Sequence, residues 1–316
     1  MQLPARFISL SLLLSAPALV YGWSWTGHEL IADIAQDFLT PNASAKISEM
    51  LGGRPLSSIA AWADTIHWMP RYQFSGRLHY FDYEGVNPPE SCRFEWHAPG
   101  GQEVIAAVHN YTARLIDAED GTWTQQESLR FLVHFIEDTH QPLHLCGRAR
   151  GGNDYFVKFE NRKAKLHQVW DGLALMKRMK QVYASRHALQ LQQQLADEQD
   201  NDVQASDDYV HQLTAVYKHY ILQLMQETLY ASQHKTWLLC PSNTVNPQYG
   251  CPEIWSKETA QLNCDYVWRD ALEWPQVSPD AYWERIERDA VIEVQVMKAS
   301  WRLAAILNAV FETMLA

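Results

Sequence analysis

The sequence predicts a mainly α fold, a single-domain helical bundle with a small β-hairpin near residues 151–160. Three observations predict it. Apolar residues recur at three-and-four spacing over most of the chain, the signature of helices with one buried face. A single segment, Asp154–Phe159, alternates like a strand, directly after Gly151-Gly152. Thirteen tryptophans, spread from Trp23 to Trp301, supply a large aromatic core for helices to pack on.

The first 22 residues read as a processing signal. Arg6 is a short positive region, residues 7–20 are apolar, and Val20-Tyr21-Gly22 suits a cleavage site. The apolar run is short for a bilayer span, and no other stretch approaches that length. The mature chain is therefore expected to start at Trp23 and to be exported, periplasmic or extracellular, with residues 23–316 forming one domain and no stable membrane association. Helical periods follow at Leu30–Phe38, Glu127–Gln141 and Tyr209–Ala231. The last runs through Ile286, Ala290, Val294, Met297, Trp301, Ala305 and Leu307 or Asn308. Thr40-Pro41 and Gln141-Pro142 mark helix boundaries. The acidic stretch Gln190–Asp208 reads as an exposed helix end and loop.

A net charge of −11 argues against extended duplex binding through a basic groove. That objection weakens if several carboxylates hold cations. Five cysteines, none in a CxxC arrangement, suggest two disulfides and one unpaired thiol in an exported chain. Their pairing cannot be read from spacing.

The chemistry lies in a set of histidines and aspartates. His134 and Asp138 stand at i and i+4 on one helix face, and His167 and Asp171 repeat the arrangement. His144 follows Gln141-Pro142, where the chain can turn back. Asp64 in Ala-Trp-Ala-Asp, His79 in Leu-His-Tyr-Phe-Asp, and His28 lie upstream. Imidazole and carboxylate donors suit zinc, and catalytic zinc sites keep positions open.

Trp23-Ser-Trp-Thr-Gly-His28, Trp62-Ala-Asp64, Leu78-His79-Tyr-Phe-Asp82, Arg130 through His144, Gly151-Gly-Asn153 and His167-Gln-Val-Trp-Asp171 occur in order. Together they resemble the zinc-dependent type I nucleases, single-strand-specific enzymes of the phospholipase C/nuclease superfamily. The likeness is dense from Trp23 to Asp171 and thinner beyond. It implies the helical fold of that superfamily and three zinc ions. Asp64, His79, His134 and Asp138 would hold one; His144, His167 and Asp171 a second; the Trp23 amino group and carbonyl, His28 and a bridging Asp138 the third. A free α-amine exists only after signal cleavage, so maturation would complete the site.

The resemblance further implies a phosphodiesterase that hydrolyses single-stranded DNA and RNA to 5′-phosphates, with 3′-nucleotidase activity. Asp64, a ligand with a spare oxygen, would orient or deprotonate the attacking water. Tyr80 would stack on a base, with Asp82 and Asn153 at its edge. Where the family often carries Arg or Lys, three residues after Asp64, this chain has His67; His67 as a pH-dependent cation, or Arg71, would take that task. His140 has no family counterpart as a ligand. By family position Cys92–Cys264 pair, Cys240–Cys251 close a local loop, and Cys146 is left over. A monomer is expected. The alternative is a zinc-dependent phospholipase C, which shares the fold, the N-terminal Trp and the metals.

Overall fold

Capping chemistry sets where the helical periods begin and end. The structure, a computed structural model, describes residues 23–83, 86–97, 101–117, 121–160, 162–194, 207–269 and 279–314. Ser24 accepts the Gly27 amide at 3.3 Å and starts the Trp25–Gln36 helix. Thr40-Pro41 proves to be a start: Thr40 accepts the Ala43 amide, Pro41 takes the first position, and Gly52 closes the helix at φ +62°. The Gly121–Asp138 helix begins upstream of its apolar period and ends on the two residues the site needs.

The Val291–Thr313 helix is the spine of the core. It packs on Trp25–Gln36, Pro41–Leu51, Val104–Ile116 and Gly121–Asp138. Ile292, Val296, Met297, Leu303, Ile306, Leu307 and Val310 form its buried face. Asn308 uses both ends of its amide on the link between the first two helices, accepting from Thr40 N at 2.8 Å and donating to Phe38 O at 3.0 Å. Trp23, Trp170, Trp255 and Trp268 are fully buried, whereas Trp25 and Trp68 are exposed, so the aromatic core uses some of the tryptophans and leaves others outside.

Several boundaries differ from the sequence expectation. The terminal period is two helices, Pro279–Arg288 and Val291–Thr313, because Ala290 adopts a left-handed φ of 50° between them. An alanine in that conformation leaves no mark on hydrophobic spacing. The Tyr209–Ala231 period likewise divides into Asp207–Gln226 and Thr228–Ala231 at an extended Glu227. The hairpin lies later than 151–160: Phe156–Phe159 pairs antiparallel with Arg162–Lys165, Val157 opposite Ala164, and residues 151–155 are the turn that leads into it. A second pair, Val86–Asn87 with Ser91–Cys92, is too short to alternate visibly. The Ala174–Gln194 helix covers the start of the acidic stretch, and residues 195–206 of it lie outside the described residues.

Cys92–Cys264 and Cys240–Cys251 are disulfides, and Cys146 is free and buried. Among the described residues no helix is long and apolar enough to cross a membrane.

Candidate metal centre

Two helix ends and four short elements deliver the predicted ligands to one place. The Gly121–Asp138 helix brings His134 and Asp138. Trp62–Ile66 presents Asp64, and the 3-10 turn Gln73–His79 ends on His79. Trp25–Gln36 contributes His28 from its first turn. Pro142–Leu145 carries His144 back to the site, as Gln141-Pro142 suggested. His167 and Asp171 lie where a short helical turn widens into a π-type turn, Val169–Leu173, a distortion that recurs at functional sites.

The donor atoms converge. Asp138 lies 3.2 Å from His134 Nε2, 3.1 Å from His79 Nδ1, 3.3 Å from His144 Nδ1 and 3.7 Å from His28 Nε2. Asp64 lies 3.4 Å from His134 Nε2, 3.6 Å from His79 Nδ1 and 3.8 Å from His28 Nε2. His167 Nε2 lies 3.3 Å from Asp171, and the His144 and His167 rings stack at 5.3 Å. All eight side chains are buried. Trp23, also buried, donates its indole N–H to the Glu137 carbonyl at 3.2 Å, which seats the proposed first residue beside this cluster.

Far ring nitrogens are anchored. Ala60 O takes His134 Nδ1 at 2.7 Å, His79 O takes His144 Nδ1 at 2.7 Å, and Gly151 O takes His167 Nδ1 at 2.6 Å. Assigning the proton to each anchored Nδ1 leaves Nε2 with a lone pair aimed inward, the arrangement metal-ligating histidines use. Gly151 explains its own presence. It sits at φ +60°, and a Cβ there would lie 2.6 Å from Leu143 O, so only glycine lets this loop reach His167.

These residues fit divalent cations. His28 Nε2, Asp64 Oδ2, His79 Nε2 and Asp138 Oδ1 are buried without hydrogen-bond partners, which is costly for groups that nothing else compensates. Burial, then His134, lowers the His28 pKa to about 3, and burial, then His144, does the same for His167; both are neutral, ligand-competent imidazoles. Burial pushes Asp171 well above the carboxylate range. Burial also opposes charge on Asp138, but His134 and His144 outweigh it and hold its pKa well down. His134 is raised against burial by Asp138 and Asp64, so positive charge is favoured between those two carboxylates.

Above the donors lies a cavity of about 270 Å³. Asp64, His67, His79, Tyr80, Asp82, His144, Asn153 and His167 line it, as do two cations the sequence did not single out, Arg150 and Lys165. Arg150 pairs with Asp154 at 3.2 Å. Asn153 donates to Arg150 O at 3.0 Å and leaves its Oδ1 without a partner. Burial, then His79, lowers the His67 pKa, which works against the cation expected there. Arg71 lies elsewhere, over the Tyr72 ring and 3.8 Å from Glu127. His140 packs away from the donors, giving Nδ1 to Ile136 O and meeting Arg302 at Nε2. The Cys146 thiol is pushed up to about 11 by burial, a poor metal donor.

A family model described as S1/P1 Nuclease matches residues 23–312. This chain belongs to the S1/P1 nuclease family. It is 29% identical to Endonuclease 2 of Arabidopsis thaliana, over 96% of this chain and 95% of that protein. It is 28% identical to Nuclease S1 of Aspergillus oryzae (93% and 94% covered) and 29% identical to Nuclease P1 of Penicillium citrinum (90% and 97%). As an S1/P1 nuclease it is a metal-dependent phosphodiesterase that hydrolyses nucleic acid, which decides against the lipid alternative. Three residues at this site were not singled out from the sequence. Arg150 and Lys165 look like ordinary loop charges, and Glu137, whose carboxylate meets His28, hides beside Asp138.

Proposed function

We propose that this S1/P1 nuclease is exported, loses residues 1–22, and as a single domain from Trp23 cleaves single-stranded DNA and RNA to 5′-phosphates, with 3′-nucleotidase activity. One observation carries the reading. The cavity has His and Asp donors as its floor and Tyr80, Asp82 and Asn153 in its wall. Tyr80 is partly exposed there, and a ring in that position stacks only on a base already freed from a duplex.

Three zinc ions are assigned to the donors: Asp64, His79, His134 and Asp138; His144, His167 and Asp171; and Trp23 with His28 and Asp138. Zinc there would supply Lewis-acid charge to phosphoryl and departing oxygens. The protein's own groups do the rest. Asp64, with Oδ2 unpartnered, holds a proton of the attacking water. Arg150 and Lys165 fix the phosphodiester, and His67 donates to it from the same wall. Asp82 accepts from the base edge, and Asn153 Oδ1 takes a donor from it.

Product analysis on single-stranded DNA, RNA, duplex DNA and 3′-mononucleotides, with and without chelator, tests this. Chelator-sensitive release of 5′-phosphates from single strands is expected. Equal cleavage of duplex, or 3′-phosphate products, would overturn it. Mass spectrometry of the exported protein should place the amino terminus at Trp23.

A further inference from the structure

We propose that Glu137 is the positioning residue for the metal held by Trp23 and His28, gripping one with its carboxylate and the other with its carbonyl. This rests on the reading of His28 as a ligand. Glu137 is fully buried, and its Oε2 is hydrogen-bonded to His28 Nδ1. It follows His134 by one helical turn and precedes Asp138 by one residue, so it leaves the helix about 100° around from the aspartate. From there it reaches the far edge of the His28 ring.

Three features set this contact apart. His134, His144 and His167 are anchored by neutral backbone carbonyls, whereas His28 is anchored by a carboxylate. A carboxylate fixes the proton on Nδ1 and raises the basicity of Nε2 more than an amide oxygen does. His28 Nε2 then stands opposite Asp64 Oδ2 (3.8 Å) and Asp138 Oδ1 (3.7 Å), and all three atoms are buried with no hydrogen-bond partner. Those three atoms face one another as a set of donors suited to a cation. The same Glu137 also accepts the Trp23 indole N–H on its backbone oxygen at 3.2 Å. One residue therefore orients both chain segments assigned to this metal.

Glu137 Oε1 is buried without a hydrogen-bond partner, so His28 Nδ1 is the side-chain contact the structure gives this group.

The test counts metals in the mature protein by inductively coupled plasma mass spectrometry after dialysis against graded chelator. Wild type, Glu137→Gln, Glu137→Met, His28→Ala and the Glu137→Gln/His28→Ala double variant are compared, with circular dichroism as the fold control. Gln keeps the acceptor without the charge. Met relieves the buried charge with a similar length and covers the case in which Gln fails to fold. Each single Glu137 variant should retain two metals and bind the third roughly 10–100-fold more weakly. The double variant should be no weaker than His28→Ala alone. Wild-type affinity for the third metal in a folded Glu137 variant overturns the proposal. Unchanged metal content in His28→Ala instead overturns the underlying ligand reading.

Discussion

Asp138 and Asp171 are both buried aspartates four residues after a histidine, yet they sit in unlike company. Asp138 is within 3.7 Å of four imidazoles drawn from four separate parts of the chain, and His134 and His144 hold its pKa well down despite burial. Asp171 meets one imidazole, His167, and the Gln141 amide, and burial alone dominates its titration. The first is a hub that long-range packing assembles. The second is a local arrangement held by a glycine turn, a short hairpin and a π-type turn. The same i,i+4 spacing thus marks two sites with different dependence on the rest of the fold.

Removing the hub should do the most damage. Asp138→Asn leaves every neighbouring histidine without its shared carboxylate, so more than one metal equivalent should be lost and turnover should fall by at least about 10³-fold. Asp171→Asn should remove a single equivalent and reduce turnover by roughly 10²-fold, because the hub keeps its own donors. Metal counting beside single-turnover kinetics separates the two. Equal metal loss from both variants would mean that the sites are one cooperative unit.

The local site can also be broken through its backbone. Gly151→Ala places a Cβ against Leu143 O in a left-handed conformation, at a cost of about 1–3 kcal/mol. Gly151 O anchors His167, so the strain should reach the His144/His167/Asp171 metal first. Thermal unfolding should shift modestly, with that metal weakened and the hub's metals retained. Loss confined to the hub would reverse the assignment.

Spacing in the sequence reveals these sites to different depths. Helical pairs such as His134/Asp138 are visible because a helix converts i,i+4 into contact. Gly151-Gly-Asn153 is visible as a motif, but its reason, a positive φ against Leu143 O, appears only in three dimensions. Glu137 is invisible for a stronger reason: its partner His28 lies 109 residues away, and its neighbour Asp138 already accounts for a carboxylate there. The break at Ala290 is hidden because the apolar period runs through it unchanged. Long-range pairing and single-residue backbone choices are the two kinds of information that one-dimensional periodicity lacks.

Arg150 and Lys165 extend the difference between the two sites to the substrate. Both line the cavity near the local site, Arg150 exposed and Lys165 partly buried, and neither belongs to a group of metal donors. If they hold the phosphodiester, their loss should weaken binding without touching chemistry. Arg150→Ala and Lys165→Ala are each expected to raise KM about tenfold, equivalent to ~1.4 kcal/mol, and to flatten the salt dependence of cleavage. Metal content and kcat should stay near wild type. Asp171→Asn, acting on the same side of the cavity, should show the opposite split, with kcat and metal content falling together. A fall in kcat with unchanged KM in the Arg150 and Lys165 variants would move these cations from substrate binding to transition-state stabilisation.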